Sequence, residues 1–215
     1  MYGTPNSNTY EETHANKNDS TIKEYIDSWY EKNLLSDNDK IDTESGFCAD
    51  RRISPRETNP QAGIGKNVND YYTTAITAYL LDKPTLICHN SNDYFTTTTS
   101  SVGNKALKYP AGMLTTMEFI YAGYATSDKE GNKHDITNSN MYLYGNFPYR
   151  TMTPGSFRST LVASIEHISS RSNGEGYLSS GAVKMYETIR PVINLKADIT
   201  FASGDGTAEH PFVVS

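Results

Sequence analysis

The residues able to carry chemistry in this chain are plentiful but scattered. Histidines stand at His14, His89, His134, His167 and His210, none at a metal-ligand spacing from another. A serine or cysteine nucleophile needs a histidine base and an orienting acid converging on it, and no Gly-x-Ser-x-Gly elbow is present. Carboxylates fall mainly in loop-like stretches and on the polar side of a helical segment, so no glycosidase pair stands out. Gly204-Asp205-Gly206 lacks the alternating Asp/Asn ligands and the closing Glu of a calcium loop and reads as a plain turn. Gly63-Ile64-Gly65 is followed by no Gly-Lys-Ser/Thr, so it is not a phosphate loop. The sequence therefore points to no catalytic centre, no metal and no cofactor. His167 beside Glu166 places the two on opposite faces of any strand, leaving one of them to face a ligand.

The two cysteines, Cys48 and Cys88, belong to no Cys-x-x-Cys or His-rich pattern, which excludes a structural zinc site. They either close one disulfide, as suits an exported protein, or remain two buried thiols. Asp50-Arg51-Arg52 reads as a local ion pair or loop anchor, with partner contact as the alternative.

Composition narrows the partner class. The net charge of −6 and the absence of any Lys/Arg run argue against nucleic acid, which needs a basic face. No apolar run approaches the roughly 18–20 residues of a membrane span, so this segment is not expected to insert into a bilayer. The N-terminus lacks a charged-then-apolar signal layout; export would make this stretch part of a longer surface protein. Sixteen tyrosines against seven phenylalanines and one tryptophan put much of the apolar area on rings carrying a hydroxyl. Such rings serve recognition, and they are equally at home in strands.

The elements that would position these residues can be read in order. Residues 1–18 form a polar leader or linker, and 19–215 a single α+β domain. Asp19, Ser20 and Thr21 are N-cap types, with Thr21 and Glu24 spaced as a capping box. Ile22, Tyr25, Ile26, Trp29, Tyr30 and Leu34 then repeat at helical spacing, with Lys23, Glu24, Asp27, Glu31 and Lys32 expected in water. Lys83 to Cys88 reads as a short buried strand, and Asn92 to Thr99 as an exposed loop. Thr115 and Glu118 predict a second capping box, Leu114 and Phe119 a hydrophobic staple, and Gly123 a helix stop. Met141–Tyr144, Leu161–Ile168, Tyr177–Met185 and Ile189–Leu195 read as strands, with a turn at Gly174-Glu175-Gly176. Pro191 confines the last of these to an edge or to its own first residue. A glycine turn at 203–207 and one closing strand complete the chain.

A resemblance covers residues 18–215. Its motifs are Tyr149-Arg150-Thr151-Met152-Thr153-Pro154, then Arg190-Pro191-Val192-Ile193-Asn194-Leu195-Lys196-Ala197-Asp198 and Ser203-Gly204-Asp205-Gly206-Thr207. Upstream lie Asn18-Asp19-Ser20-Thr21-Ile22-Lys23, Trp29-Tyr30 and Gly46-Phe47-Cys48-Ala49-Asp50-Arg51. Together they resemble a family of surface domains from gut-dwelling Firmicutes and their phages. Met113 to Ala122 is similar to the Leu-Pro-Thr-Glu-x-Glu-Trp-Glu-x-Ala helix of the C-type-lectin-like fold in its formylglycine-generating-enzyme variety. That fold implies two helices with a mixed, mainly antiparallel sheet. It also serves as the variable protein of diversity-generating retroelements, whose C-terminal region presents ligand-contacting residues.

The resemblance implies an extracellular, cell-surface or phage-particle module for adhesion or receptor recognition, with a protein or glycan ligand and its binding face in 149–190. The large or polar groups there are Tyr149, Arg150, Phe157, Arg158, His167, Arg171, Asn173 and Tyr186. Arg150 departs from the family's usual Trp, which either alters the site or replaces a packing residue by an Arg with a buried stem. The Glu-Pro-Asn, Gln-Pro-Asp and Trp-Asn-Asp signatures of calcium-dependent lectins are missing, which argues against sugar binding through calcium. The paired C-terminal cysteines of the enzyme relatives are missing as well, which argues against their oxidase chemistry. A pilin-like or stalk module is the rival reading, distinguished by exposed patches at the chain ends instead of around 149–190.

Overall fold

The computed structural model describes residues 15–52, 70–71, 85–122, 143, 147–157, 164–170, 176–183, 185–207 and 209–215, with side chains left undescribed at 70–71, 156–157, 164–170 and 176–180. Helix α1 (Thr21–Asn33) starts where the cap types stand, but one residue earlier than the expected box. Ser20, in extended backbone, accepts from the Lys23 amide at 3.2 Å, which makes Thr21 the first helical residue. Ile26 and Tyr30 are fully buried, with Ile22, Trp29 and Leu34 packed beside them. The buried face is nonetheless rotated from the apolar stripe, leaving Tyr25 59% exposed and both Lys23 and Asp27 inside. These two stand one turn apart, on the same face as Ile26 and Tyr30, and form an ion pair that lets both charges leave water.

After a 3₁₀ turn (Leu35–Lys40), Ile41 bridges to Leu195 and is buried. Strand β1 (Phe47–Cys48) runs antiparallel to β3 (Tyr94–Phe95); β2 is Asp70–Tyr71. The stretch from 92 to 99, expected to be an exposed loop, supplies core instead: Asp93, Phe95, Thr96 and Thr97 are all buried. The threonines tolerate this because their hydroxyls are satisfied, Thr96 Oγ1 by Val102 O at 2.8 Å and Thr97 Oγ1 by Thr43 O at 2.9 Å. Of the short buried strand expected at Lys83–Cys88, Thr85–Cys88 are described; they have no strand partner among the described residues, and Leu86 and Ile87 lie exposed.

Strand β4 (Ala111–Met113) leads into helix α2 (Thr116–Tyr121). Its capping box is complete: Thr115 Oγ1 accepts from the Glu118 amide, and the Glu118 carboxylate accepts from the Thr115 amide at 2.7 Å. The expected stop, Gly123, lies outside the described residues, as do His14, His134 and the Gly63 and Gly174 turns; of the strand expected at 141–144 only Leu143 is described. A Cβ at Gly112 would fall 2.5 Å from Cγ of Phe47, so only glycine lets that ring lie on β4.

Strands β5 (Tyr149–Phe157), β6 (Ser164–Ser170) and β7 (Gly176–Ala182) join β2 in a four-stranded antiparallel sheet of order β2-β5-β6-β7. The β6–β7 register is unbroken from Ser164↔Ala182 to Ser170↔Gly176, whereas β5–β6 shifts on either side of Pro154, which has no amide to donate. Strand β8 (Pro191–Ile193) pairs antiparallel with β4, and Pro191 is its first residue, one of the two places expected for it. Strands β9 (Phe201–Ser203) and β10 (Val213–Val214) form the closing hairpin, turned through Gly204 and Gly206 at φ of 98° and 84°. The described residues are thus a mixed α+β arrangement with few helices and small antiparallel sheets. No helix among them is long and apolar enough to cross a membrane.

The ion pair inside α1 yields a prediction. Asp27→Ala strands the Lys23 ammonium in the core and should lower unfolding free energy by about 3–5 kcal/mol, whereas Lys23→Met with Asp27→Leu should be close to neutral. Urea denaturation of both variants checks the contrast.

Candidate functional site

Two places gather functional side chains among the described residues. One lies where β1, the 85–87 segment and the start of α2 meet. Cys48 and Cys88 are bonded there, with Cα atoms 5.6 Å apart, which settles the pairing left open by the sequence. The charged residues beside them serve each other: Arg52 pairs with Asp50 at 2.6 Å and Arg51 with Asp93 at 2.7 Å, as expected of a loop anchor. An open cleft of about 190 Å³ lies between them, bordered by Asp50, Arg52, Leu86, Ile87, Tyr94 and Glu118. It is smaller than the roughly 300 Å³ at which small-molecule pockets begin. Its Asp50, Arg52 and Glu118 side chains are already engaged in structural bonds.

The other place is the turn between β7 and β8, and it is built from beneath by Arg150. This side chain, nominated as a ligand contact, is only 2% exposed, and Tyr149 beside it 1%. Both nominations are corrected on geometry, since groups so deeply buried cannot touch a ligand in this conformation. The guanidinium instead donates through Nη2 to Ala182 O at 2.9 Å and Met185 O at 2.6 Å, and its Nε lies 3.5 Å from a carboxylate oxygen of Glu187. Burial pulls its pKa below the usual guanidinium value, and Glu187 pushes it back up. Tyr149 donates its hydroxyl to Leu143 O at 2.9 Å, and the Arg190 guanidinium lies 4.2 Å over its ring while donating to the same carbonyl.

Above Arg150 the turn opens to solvent. Tyr186, the nominated residue at its centre, is wholly exposed, and Val183 and Met185 are exposed at 42% and 52%. Phe147 is exposed too, one residue before the Pro148 carbonyl that accepts from the Thr188 hydroxyl at 2.6 Å. Comparison with protein-family models, curated proteins and solved structures finds no match. The turn's described exposed side chains are one aromatic ring, a thioether and an aliphatic group, on a charged base. Among the described residues no three His, Cys, Asp or Glu come together to hold a metal.

The other nominated residues divide between strand and undescribed chain. Phe157 pairs through its backbone with Asp70, and His167 with Arg150 and Ser179; their side chains are not described. Arg158, Arg171 and Asn173 lie outside the described residues. Sequence reasoning missed Val183, Met185 and Phe147 as exposed apolar groups and Glu187 as the carboxylate facing Arg150. Of these only Glu187 stood in the interruption of the strand pattern ahead of Arg190-Pro191; Val183 and Met185 lay within the expected strand Tyr177–Met185, which ends at Ala182.

Truncating neighbouring tyrosines should separate frame from surface. Tyr149→Ala should lower stability by about 3–5 kcal/mol, in the range for a large aromatic lost from a core. Tyr186→Ala should stay within about 0.5 kcal/mol of the parent. Paired chemical-denaturation curves measure both.

Proposed function

We propose that this chain is an extracellular, non-enzymatic ligand-binding domain of C-type-lectin-like architecture, as its resemblance to retroelement variable proteins implies, and that its binding face is the turn carrying Tyr186. The observation behind this reading is the full exposure of Tyr186, next to the exposed Met185 and three residues after the exposed Val183, on a turn whose base is a buried ion pair. An aromatic ring presented on a fixed frame supplies contact area at little entropic cost. The disulfide fits an oxidising compartment. Glu187, the carboxylate described on this turn, is turned inward to Arg150. Side chains of this kind suit a protein surface with an apolar pocket better than a sugar, whose hydroxyls call for convergent polar groups.

A second reading, a spacer or assembly module, is favoured by one feature of the chain end. Phe201 and Phe212 stack at 4.6 Å on the closing hairpin, both more than half exposed. The two readings make opposite demands on the two aromatic sites.

The test presents the purified chain to an array of surface and secreted proteins and, in parallel, to a glycan array with and without calcium. Saturable binding to a protein spot, weakened about tenfold or more by Tyr186→Ala and untouched by Phe212→Ser, is the expected result. Binding indifferent to Tyr186→Ala, glycan binding alone, or no binding at all would sink the proposal.

A further inference from the structure

We infer that Arg150 is the positioning residue of the Tyr186 turn, a latch that fixes the turn before any partner arrives; its consequence for binding rests on the reading just given. Every stage of the turn is tied to Arg150 or its immediate neighbour. At the start, Ala182 O accepts from Nη2 at 2.9 Å; at the middle, Met185 O accepts from the same nitrogen at 2.6 Å. Near the end, the Glu187 carboxylate lies 3.5 Å from Nε. The main chain closes the circuit: the Arg150 amide donates to Thr188 O at 3.0 Å, and the Thr188 amide and hydroxyl both return to Pro148 O. Within the turn, the Met185 amide donates to Ala182 O at 3.0 Å.

The chemistry of the residue type matters. A guanidinium is a rigid planar fork with five donors, so one side chain can hold two carbonyls and a carboxylate that come from different points of the turn. A lysine brings the charge as a single point and cannot reach all three at once. An apolar side chain of the same length would remove the Nη2 donor from Met185 O and from Ala182 O, leaving the latter the Met185 amide, and would take the guanidinium charge away from the Glu187 carboxylate. Tyr186 sits immediately between Met185 and Glu187, two of the three latched residues, so its main chain is pinned on both sides while its ring stays in solvent. A turn fixed in this way spares a partner the entropy of ordering it.

Native-state proteolysis tests the latch without any ligand, so its outcome is independent of whether the binding reading survives. Chymotrypsin is applied to the folded chain, and cutting at the Tyr186–Glu187 bond is followed by mass spectrometry, with cutting at Phe212 on the closing hairpin as the internal reference. When opening and closing are fast, the cleavage rate reports the population of the open turn. Arg150→Met should speed cutting after Tyr186 by about tenfold or more relative to Phe212, and Glu187→Gln should do so to a smaller extent. Arg150→Lys should fall between parent and Arg150→Met, while amide exchange in α1 stays at the parent's rate. Should Arg150→Met fail to fold, Arg150→Lys and Glu187→Gln carry the comparison. Equal acceleration at both bonds would make Arg150 a general core residue, and unchanged cutting after Tyr186 would mean that the turn holds itself; either result overturns the inference.

Discussion

A guanidinium taken almost wholly out of water must be given oxygens in exchange, and that requirement shapes the second half of this molecule. Solvating a buried charge imperfectly costs several kcal/mol, so the chain cannot leave Arg150 near the start of β5 without bringing acceptors to it. The acceptors come from Ala182, Met185 and Glu187, more than thirty residues downstream. Their convergence draws the end of β7 back to the start of β5. Thr188 then exchanges hydrogen bonds with Pro148 and Arg150, and β8 begins three residues later against β4. One buried charge thereby links the four-stranded sheet to the ladder that borders the core. Arg190, stacked on Tyr149 and bonded to Leu143 O, reinforces the same junction from the other side.

The rest of the interior follows a related logic. With hydrophobic residues at only 36% of the sequence, much of what is buried here is polar and has to be matched. Lys23 faces Asp27 within α1; Arg51 reaches Asp93; Thr153 accepts from the amide of Thr116 at 2.9 Å. Removing one partner of any such pair costs far more than the pair contributes, because the survivor is left buried without compensation. Matched groups of this kind tolerate few alternative arrangements, which favours one register over its neighbours. The disulfide acts in the same direction on the covalent level by tying Cys88, in a segment without a strand partner among the described residues, to β1.

How much of this could be read in advance depended on whether the controlling partner was local. The helix starts were legible to within a residue, since caps act over three residues: Thr115 with Glu118 as expected, and Ser20 with Lys23 one residue ahead of the expected Thr21–Glu24 box. The Gly204 turn and the place of Pro191 were legible for the same reason. The rotation of α1 was not, because Lys23 enters the core only on condition that Asp27 goes with it, and residue type alone assigns both to water. Thr96 and Thr97 likewise read as surface until the carbonyls of Val102 and Thr43 are known to receive their hydroxyls. Position 150 was hidden more deeply. Tyr149, Arg150, Thr151, Met152 and Thr153 are all buried, so β5 has no solvent face here and alternation along the strand says nothing about where Arg150 goes. Its partners include backbone carbonyls, which no residue type announces. Tyr186, nominated as a ligand contact, is by contrast fully exposed, as a large ring between the end of β7 and the start of β8 can be.

The two exposed aromatic features of this protein differ in what stands beneath them, and that difference bears on function more than exposure does. The closing hairpin is a two-stranded ladder whose rings cover each other, turned through glycines that hold left-handed backbone. Such hairpins have little stability of their own and gain it from neighbours. Among its described residues the Tyr186 turn has a single bridge, Tyr149↔Thr188, yet it is bound at its start, middle and end to one buried side chain and its adjacent main chain. A surface whose conformation is settled before contact can discriminate among partners, because a poorly fitting one cannot be accommodated by rearrangement. A surface that rearranges easily accepts many neighbours and suits packing between modules. The buried guanidinium therefore does for the Tyr186 turn what a ladder does for an ordinary strand. On the binding role proposed above, a partner would meet that turn already settled in one conformation.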